Sequence, residues 1–260
     1  VDKRRVIYYS DELNDEFSVA EIEPRRIGKD YVYIHDSRFK RFTHFFWYRI
    51  VALPIAYIYL KGVFGHRIVG AKKLVKAGGR GFFMYGNHTQ DIADALIPTF
   101  TAFPKTVYVI VHPNNVSMPV LGRITPSLGA LPLPDDLAAY KNFKQAVNTR
   151  CEQGCCITVY PEAHIWPYYT KIRPYPDTSF DYPAKLGAPV FTFTNTYRRR
   201  RFFRHPRIVT CVDGPFFPDM EKPVRKRRAE LRDKAYRAMC RRAELSDHVQ
   251  IKYIKQEKKQ

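Results

Sequence analysis

Between residues 80 and 214 short apolar runs alternate with stretches of helical spacing. "GFFMYG" reads as a buried strand, and a helical pattern follows at 90–100. "TVYVIV" at 106–111 is the next strand, and "GALPLP" at 129–134 is a short extended piece between prolines. The stretch 135–154 predicts a helix: Asp135 and Asp136 stand at its start, apolar residues fall at 137, 140, 143 and 147, and Gly154 lies past its end. "CCITVY" at 155–160, "PVFTFT" at 189–194 and "RIVTCVDG" at 207–214 read as strands, with a partly helical piece at 179–188. Residues 222–245 predict a basic helix whose narrow apolar stripe is Val224, Leu231, Ala235, Ala238 and Met239. This alternation predicts an α/β fold, a mostly parallel sheet flanked by helices. Sites in such sheets form where strands end. That places "GNHTQD", "GALPLPDD" and "YPEAHIWP" together along one edge.

One segment breaks the alternation. Residues 42–64, "FTHFFWYRIVALPIAYIYLKGVF", are the most apolar and aromatic in the chain, interrupted by Arg49, Pro54 and Lys61. A spanning helix needs about 20 mostly apolar residues, and the longest uncharged run here is 50–60. The pattern favours a segment lying in a membrane interface, or a shallow re-entrant hairpin bent at Pro54, over a simple span. Trp47, Tyr48, Tyr57 and Tyr59 suit the headgroup level, and Lys40, Arg41 and Arg49 suit anionic lipid. The other reading is a buried core helix.

Charge sharpens this picture. The chain of 260 residues has a formal net charge of +19, which points to a polyanionic partner: nucleic acid, an anionic membrane face or phosphorylated substrates. The net charge is −3 over residues 1–36, +10 over 37–197 and +12 over 198–260. The expected organisation is an N-terminal arm (1–37), a membrane-interface helical segment (38–66), an α/β domain (67–215) and a basic C-terminal helix and tail (216–260). The five cysteines are odd in number and three of them are clustered, so they read as reduced apolar fillers in a cytosolic setting rather than as disulfides or a metal site. "VDKRRVIYYSDEL" lacks the apolar core of a signal peptide.

Within "MYGNHTQDIADA" His88 follows a strand and a turn, and a carboxylate beside it would fix its tautomer and stabilise an imidazolium. That is the equipment of a general base. A lone histidine near an aspartate is also common as plain structure. Asp91 and Asp94 are both within reach in sequence. Glu162 follows the strand 155–160, and Lys171 and Arg173 follow it closely; with Arg123 they form a candidate acceptor and phosphate-binding set.

Taken together, the blocks resemble the glycerolipid acyltransferase family, the enzymes that acylate lysophosphatidate and its relatives, over roughly residues 80–200. "NHTQDIAD" resembles its Asn-His-x4-Asp block. "GRITPSLGALPLPDD" partly resembles its glycine-rich block, "YPEAHI" its Pro-Glu-Gly block and "GAPVFTF" its apolar-Pro-apolar strand. There are departures: five residues separate His88 from Asp94 where the family has four, the second block lacks its arginine, and Ala163 stands for the glycine.

The resemblance implies transfer of a fatty acyl group from acyl-CoA or acyl carrier protein to a hydroxyl of a lysophospholipid or glycerol phosphate. His88 and Asp94 would be the catalytic pair, with Asp91 as the other candidate partner, and Glu162, Arg123, Lys171 and Arg173 would bind substrate. It implies no metal and no cofactor beyond the acyl thioester donor. The expected partners are an anionic phospholipid membrane, on its cytoplasmic face, the thioester and the lysolipid. A rival reading is a non-catalytic protein held on a membrane or nucleic acid by runs such as "RRRRFFRHPR" at 198–207. No nucleic-acid module signature and no nucleophile-elbow pattern occurs.

Overall fold

The computed structural model describes residues 5–17, 23–34, 37–119 and 121–256; the first four residues of the N-terminal arm and the last four of the basic tail lie outside them. After β1 (Arg5–Tyr9) comes a helical run made of α1 (Arg38–Phe45), a π-helical segment (Phe46–Ala52) and α2 (Leu53–Phe64). The α/β part follows as β2 (Arg67–Val69), β3 (Phe82–Gly86), α3 (Ala93–Thr101), β4 (Val107–Val111), α4 (Asn114–Ser117), α5 (Leu121–Ile124), β5 (Ala130–Pro132), α6 (Leu137–Glu152), β6 (Cys156–Val159), α7 (Asp181–Leu186), β7 (Val190–Arg198) and β8 (Arg207–Phe216). The chain closes with α8 (Val224–Ala243) and β9 (Ile251–Lys255).

Seven strands form one sheet in the order β2-β8-β7-β3-β6-β4-β5. The five from β7 to β5 are parallel, β8 turns back antiparallel to β7, and β2 runs along β8. The fold is thus α/β with a mostly parallel sheet between helices. Side chains alternate across a strand, so both faces of an apolar run must be covered. On β3, Phe83 and Tyr85 pack with Phe143 of α6 and Leu231 and Met239 of α8. Phe82 and Met84 face the other way and pack with Leu60 and Phe64 of α2 and Ile97 of α3. The helix α6 starts where the Asp136 carboxylate accepts the Ala139 amide at 2.7 Å, and it buries Ala139, Phe143, Ala146, Val147 and Cys151. In α8 the buried residues are Leu231, Ala235, Ala238, Met239 and Ala243. Of its basic residues, Arg228 and Arg242 pair with Asp177 and Asp213 of the body, while Arg225, Lys226, Lys234, Arg237 and Arg241 are exposed.

The aromatic segment does not reverse at Pro54. Its backbone stays helical through residues 45–53, and the π-helical segment ends two residues before Pro54, so that the widened turn absorbs the missing N–H. No helix among the described residues is long and apolar enough to cross a membrane. One side of the run is buried through Tyr48, Ala56, Leu60 and Phe64. Tyr48 anchors it: its hydroxyl accepts the Val107 amide at 3.0 Å and donates to Thr99 at 3.3 Å. The other side leaves Phe39, Phe42, Phe46, Ile50, Ile55 and Ile58 exposed.

The N-terminal arm returns to the body of the molecule. β1 pairs in parallel with β9 as a separate two-stranded sheet. Trp166 stacks on Tyr253 at 5.0 Å and donates its indole N–H to the Asp15 carbonyl at 2.8 Å. All five cysteines are free, and burial pushes the Cys151 thiol up to about 11. Among the described residues no group of three or more His, Cys, Asp or Glu side chains is placed to hold a metal ion.

Candidate active site

The candidate site begins where β3 ends. Gly86 is required there: a Cβ would lie 2.2 Å from the Phe193 ring, so only glycine lets that ring close over the strand end. Beyond it, the buried Asn87 side chain continues the ladder to β7. Its amide donates to the Asn195 carbonyl at 3.0 Å, and its carbonyl oxygen accepts the Asn195 N–H at 2.8 Å. The loop behind it is held by main-chain bonds, Trp166 N–H to the His88 carbonyl at 3.1 Å and Tyr168 N–H to the Thr89 carbonyl at 3.0 Å. His88 therefore stands on a braced loop.

Asp94 meets the His88 ring. Its Oδ2 lies 2.9 Å from His88 Nδ1 and also accepts the Thr89 and Gln90 amides at 2.7 and 2.9 Å. Its Oδ1 accepts from Asn195 Nδ2 at 3.1 Å. The side chain is buried and sits in the first turn of α3, where the helix dipole favours a negative charge. A buried carboxylate must be compensated, and four donors do so here. A carboxylate only accepts, so His88 carries its proton on Nδ1, and Nε2 is left with its lone pair. Among the described residues Nε2 makes no hydrogen bond. The chain turns at Asp91 and Ile92 before α3 starts, and that turn takes up the extra residue between His88 and Asp94. Asp91 itself is exposed and does not touch the ring; partial burial and the neighbouring Asp94 raise its carboxyl, against the pull of His88.

A proline in α3 contributes to the site. Pro98 has no N–H to give the Asp94 carbonyl four residues earlier. The Tyr160 hydroxyl donates to that carbonyl instead. This fixes the Tyr160 ring beneath His88, stacked at 4.5 Å. Burial, with the Asp94 charge, pushes the phenol far above its ordinary range, so it stays a neutral donor.

Glu162 and Arg173 are brought together, both completely buried. Glu162 accepts the His88 amide at 3.2 Å and the Arg173 amide at 3.0 Å, and the guanidinium lies 3.5 Å from its carboxylate. Arg173 also donates to the carbonyls of Glu162, His164 and Glu12 and lies over the Trp166 ring. Burial raises the Glu162 carboxyl despite these partners. In this arrangement the pair shapes the loop behind His88 and presents no side-chain atom to solvent. Ala163, between them and His164, has φ 63°, the left-handed conformation that glycine adopts freely. Lys171 is exposed on the same loop, and Arg123 is exposed on α5.

Three residues of the site gave no sequence signal. Asn195 on β7 holds Asp94 by its amide, so its Oδ1 faces the other way and accepts the Thr210 hydroxyl at 2.7 Å. That hydroxyl proton is then committed, so His66 must donate from Nε2 to Thr210 Oγ1 at 2.8 Å. A single line of donors therefore runs from His66 through Thr210 and Asn195 to Asp94. Burial, with nearby Lys61, pushes His66 down to about 4, which keeps it neutral. Asn195 lies in the polar-rich stretch "TFTNTY" and Thr210 in "IVTCV", so nothing local sets either apart.

The fold and this edge define an α/β protein whose His–Asp pair follows a central parallel strand. The comparison with solved structures finds that architecture again. The chain is similar to the 1-acyl-sn-glycerophosphate (LPA) acyltransferase PlsC from Thermotoga maritima, with a TM-score of 0.53 and 17% sequence identity over 77% of this chain and 86% of that one. At that identity the likeness establishes the shared fold. No family model and no curated protein matches the sequence.

Proposed function

We propose that this chain is an O-acyltransferase of the glycerolipid type. It moves a fatty acyl group from an acyl-CoA or acyl carrier protein thioester to a hydroxyl of a lysophospholipid or glycerol phosphate. The observation that carries the reading is the His88–Asp94 contact, with Nε2 left as a base, on a fold shared with an LPA acyltransferase.

In the reaction, Nε2 takes the acceptor's hydroxyl proton as the oxygen attacks the thioester carbonyl. Asp94 stabilises the imidazolium that results. The tetrahedral intermediate collapses with loss of the thiolate, which recovers the proton from His88. The ester bond forms, the C–S bond breaks and the enzyme returns to its starting state. Glu162 and Arg173 act as positioning residues through the His88 amide. Arg123 and Lys171, both exposed, are the members of the basic set free to meet an acceptor phosphate. In this reading the enzyme works on an anionic membrane at its cytoplasmic face, beside its lipid substrates, and the exposed apolar side of the aromatic helical run supports it.

The test is a screen of labelled acyl thioesters against a panel of lysolipid acceptors, with His88→Ala as control. The wild type should form labelled phospholipid and His88→Ala should not. Near-normal turnover by the purified variant would defeat the mechanism.

A further inference from the structure

Eight residues, 199–206, connect β7 to β8. β7 runs parallel to β3, so this hairpin tip projects from the same sheet edge as His88. Its sequence is "RRRFFRHP". Phe202 and Phe203 are 83% and 58% exposed. Arginines flank both rings, Arg200 at 3.5 Å from the Phe203 centroid and Arg201 at 5.3 Å from that of Phe202. Arg199, Arg201 and Arg204 are exposed. The Arg199 amide donates to the Asp247 carboxylate at 2.9 Å, but no guanidinium of the three forms an ion pair with a described acidic side chain.

The hairpin is tied to the aromatic helical run. Arg200 donates to the Val63 carbonyl at 2.6 Å, and the His205 ring meets Phe64 edge-on at 5.6 Å. It is also tied to the site: His205 Nδ1 and the Tyr168 hydroxyl are 2.9 Å apart, and the Tyr168 amide donates to the Thr89 carbonyl. One braced unit therefore carries the tip, the end of α2 and the loop after His88.

We infer that the β7–β8 hairpin tip is an anionic-lipid contact that inserts Phe202 and Phe203 at headgroup depth while Arg199, Arg201 and Arg204 meet lipid phosphates beside the mouth of the site. It rests on the membrane-acting enzyme proposed above and adds the element that makes the contact there. Two exposed phenylalanines at the apex of a turn are costly in water and suited to an interface. The guanidinium groups of Arg199, Arg201 and Arg204, without an ion pair among the described residues, supply the complementary charge. Nucleic acid would also attract arginine, but it gives no use to the exposed apolar side of the adjoining helices, where Ile55 and Ile58 lie open.

The experiment is flotation of the full chain with phosphatidylcholine vesicles, with and without phosphatidylglycerol. The wild type should float with the anionic vesicles, and less at high salt. Each arginine near an anionic surface contributes about fivefold to partitioning, so Arg199→Gln/Arg201→Gln/Arg204→Gln should lose on the order of a hundredfold. Phe202→Ser/Phe203→Ser should also weaken binding, with a remainder that vanishes in salt. Wild-type flotation by both variants would overturn the inference. So would a triple variant that loses only retention of a single-stranded oligonucleotide. Turnover of a short-chain, water-soluble thioester and acceptor, measured alongside, should be unchanged in both variants and reports folding. Its absence in the wild type would count against the proposed reaction and leave the flotation result standing.

Discussion

Asn195 Nδ2 donates to Asp94 Oδ1 at 3.1 Å, on the carboxylate oxygen that His88 does not use. The aspartate is thereby gripped from the neighbouring strand as well as from its own loop. Replacing Asn195 with Ala removes a hydrogen bond to a charged group, worth about 1.5–3 kcal/mol, which corresponds to about a tenfold to hundredfold fall in kcat. The acceptor KM should barely move, because the residue touches no substrate. Steady-state kinetics check both parts. A rise in KM at constant kcat would place Asn195 in binding instead.

Asp94→Asn keeps the shape and removes the charge. The amide cannot accept from Asn195, two backbone N–H groups and the ring together, and the imidazolium loses its counter-charge. The expected loss is about a thousandfold or more in kcat, measured as initial rate at saturating thioester. Asp91→Asn should stay within a few-fold of wild type.

Arg173→Met strands the buried Glu162 carboxylate and should cost about 3–5 kcal/mol in denaturant unfolding. Pairing it with Glu162→Leu should restore much of that stability while leaving the His88 amide without an acceptor. Activity should therefore stay low in the stable double variant, with KM for the phosphate-bearing acceptor unchanged. A selective rise in KM would return the pair to substrate binding.

Ala163 in the left-handed region carries a local cost of about 1–2 kcal/mol. Ala163→Gly relieves it and gives back about 0.5–1 kcal/mol through the freer unfolded chain. The net gain should appear as a rise in Tm of about 1–3 °C by calorimetry.

His66 makes stability fall with acid. Its folded pKa lies near 4 and its ordinary value is 6.5. Between those values the unfolded chain binds the extra proton, so stability is complete above about pH 6.5 and declines as pH drops toward 4. The interval corresponds to about 3 kcal/mol. Unfolding followed across that range should show the decline, and His66→Gln should flatten it.

Most of the central sheet was legible because each strand is a short apolar run bounded by turn residues, as in "CCITVY" for β6 and "TVYVIV" for β4. His88 was legible as a residue after a strand, and Asp94 once the turn at Asp91 and Ile92 was allowed its extra residue. What was missed depends on distant partners. Nothing near Asn195 announces a carboxylate from the first turn of α3, and His66 and Thr210 meet across more than half of the chain. Glu162 and Arg173 read as acceptor- and phosphate-binding groups, because burial of an ion pair leaves no mark in local periodicity. The strands "RVIYY" and "IKYIK" are short and polar on one side, and only the folded molecule shows them as a pair.

That pair has a consequence for the order of events in folding. Arg5 aligns with Ile251, so the ladder closes a loop of nearly the whole chain. Closure of so long a loop is entropically costly and gains nothing until its last strand exists. The ladder should therefore gain protection last in pulsed hydrogen exchange, after β3, β6 and β7. Tyr253 of β9 is the residue on which Trp166 stacks, beside the loop that carries Glu162. A chain stopped before β9 keeps every candidate catalytic residue and lacks the strand that holds their wall.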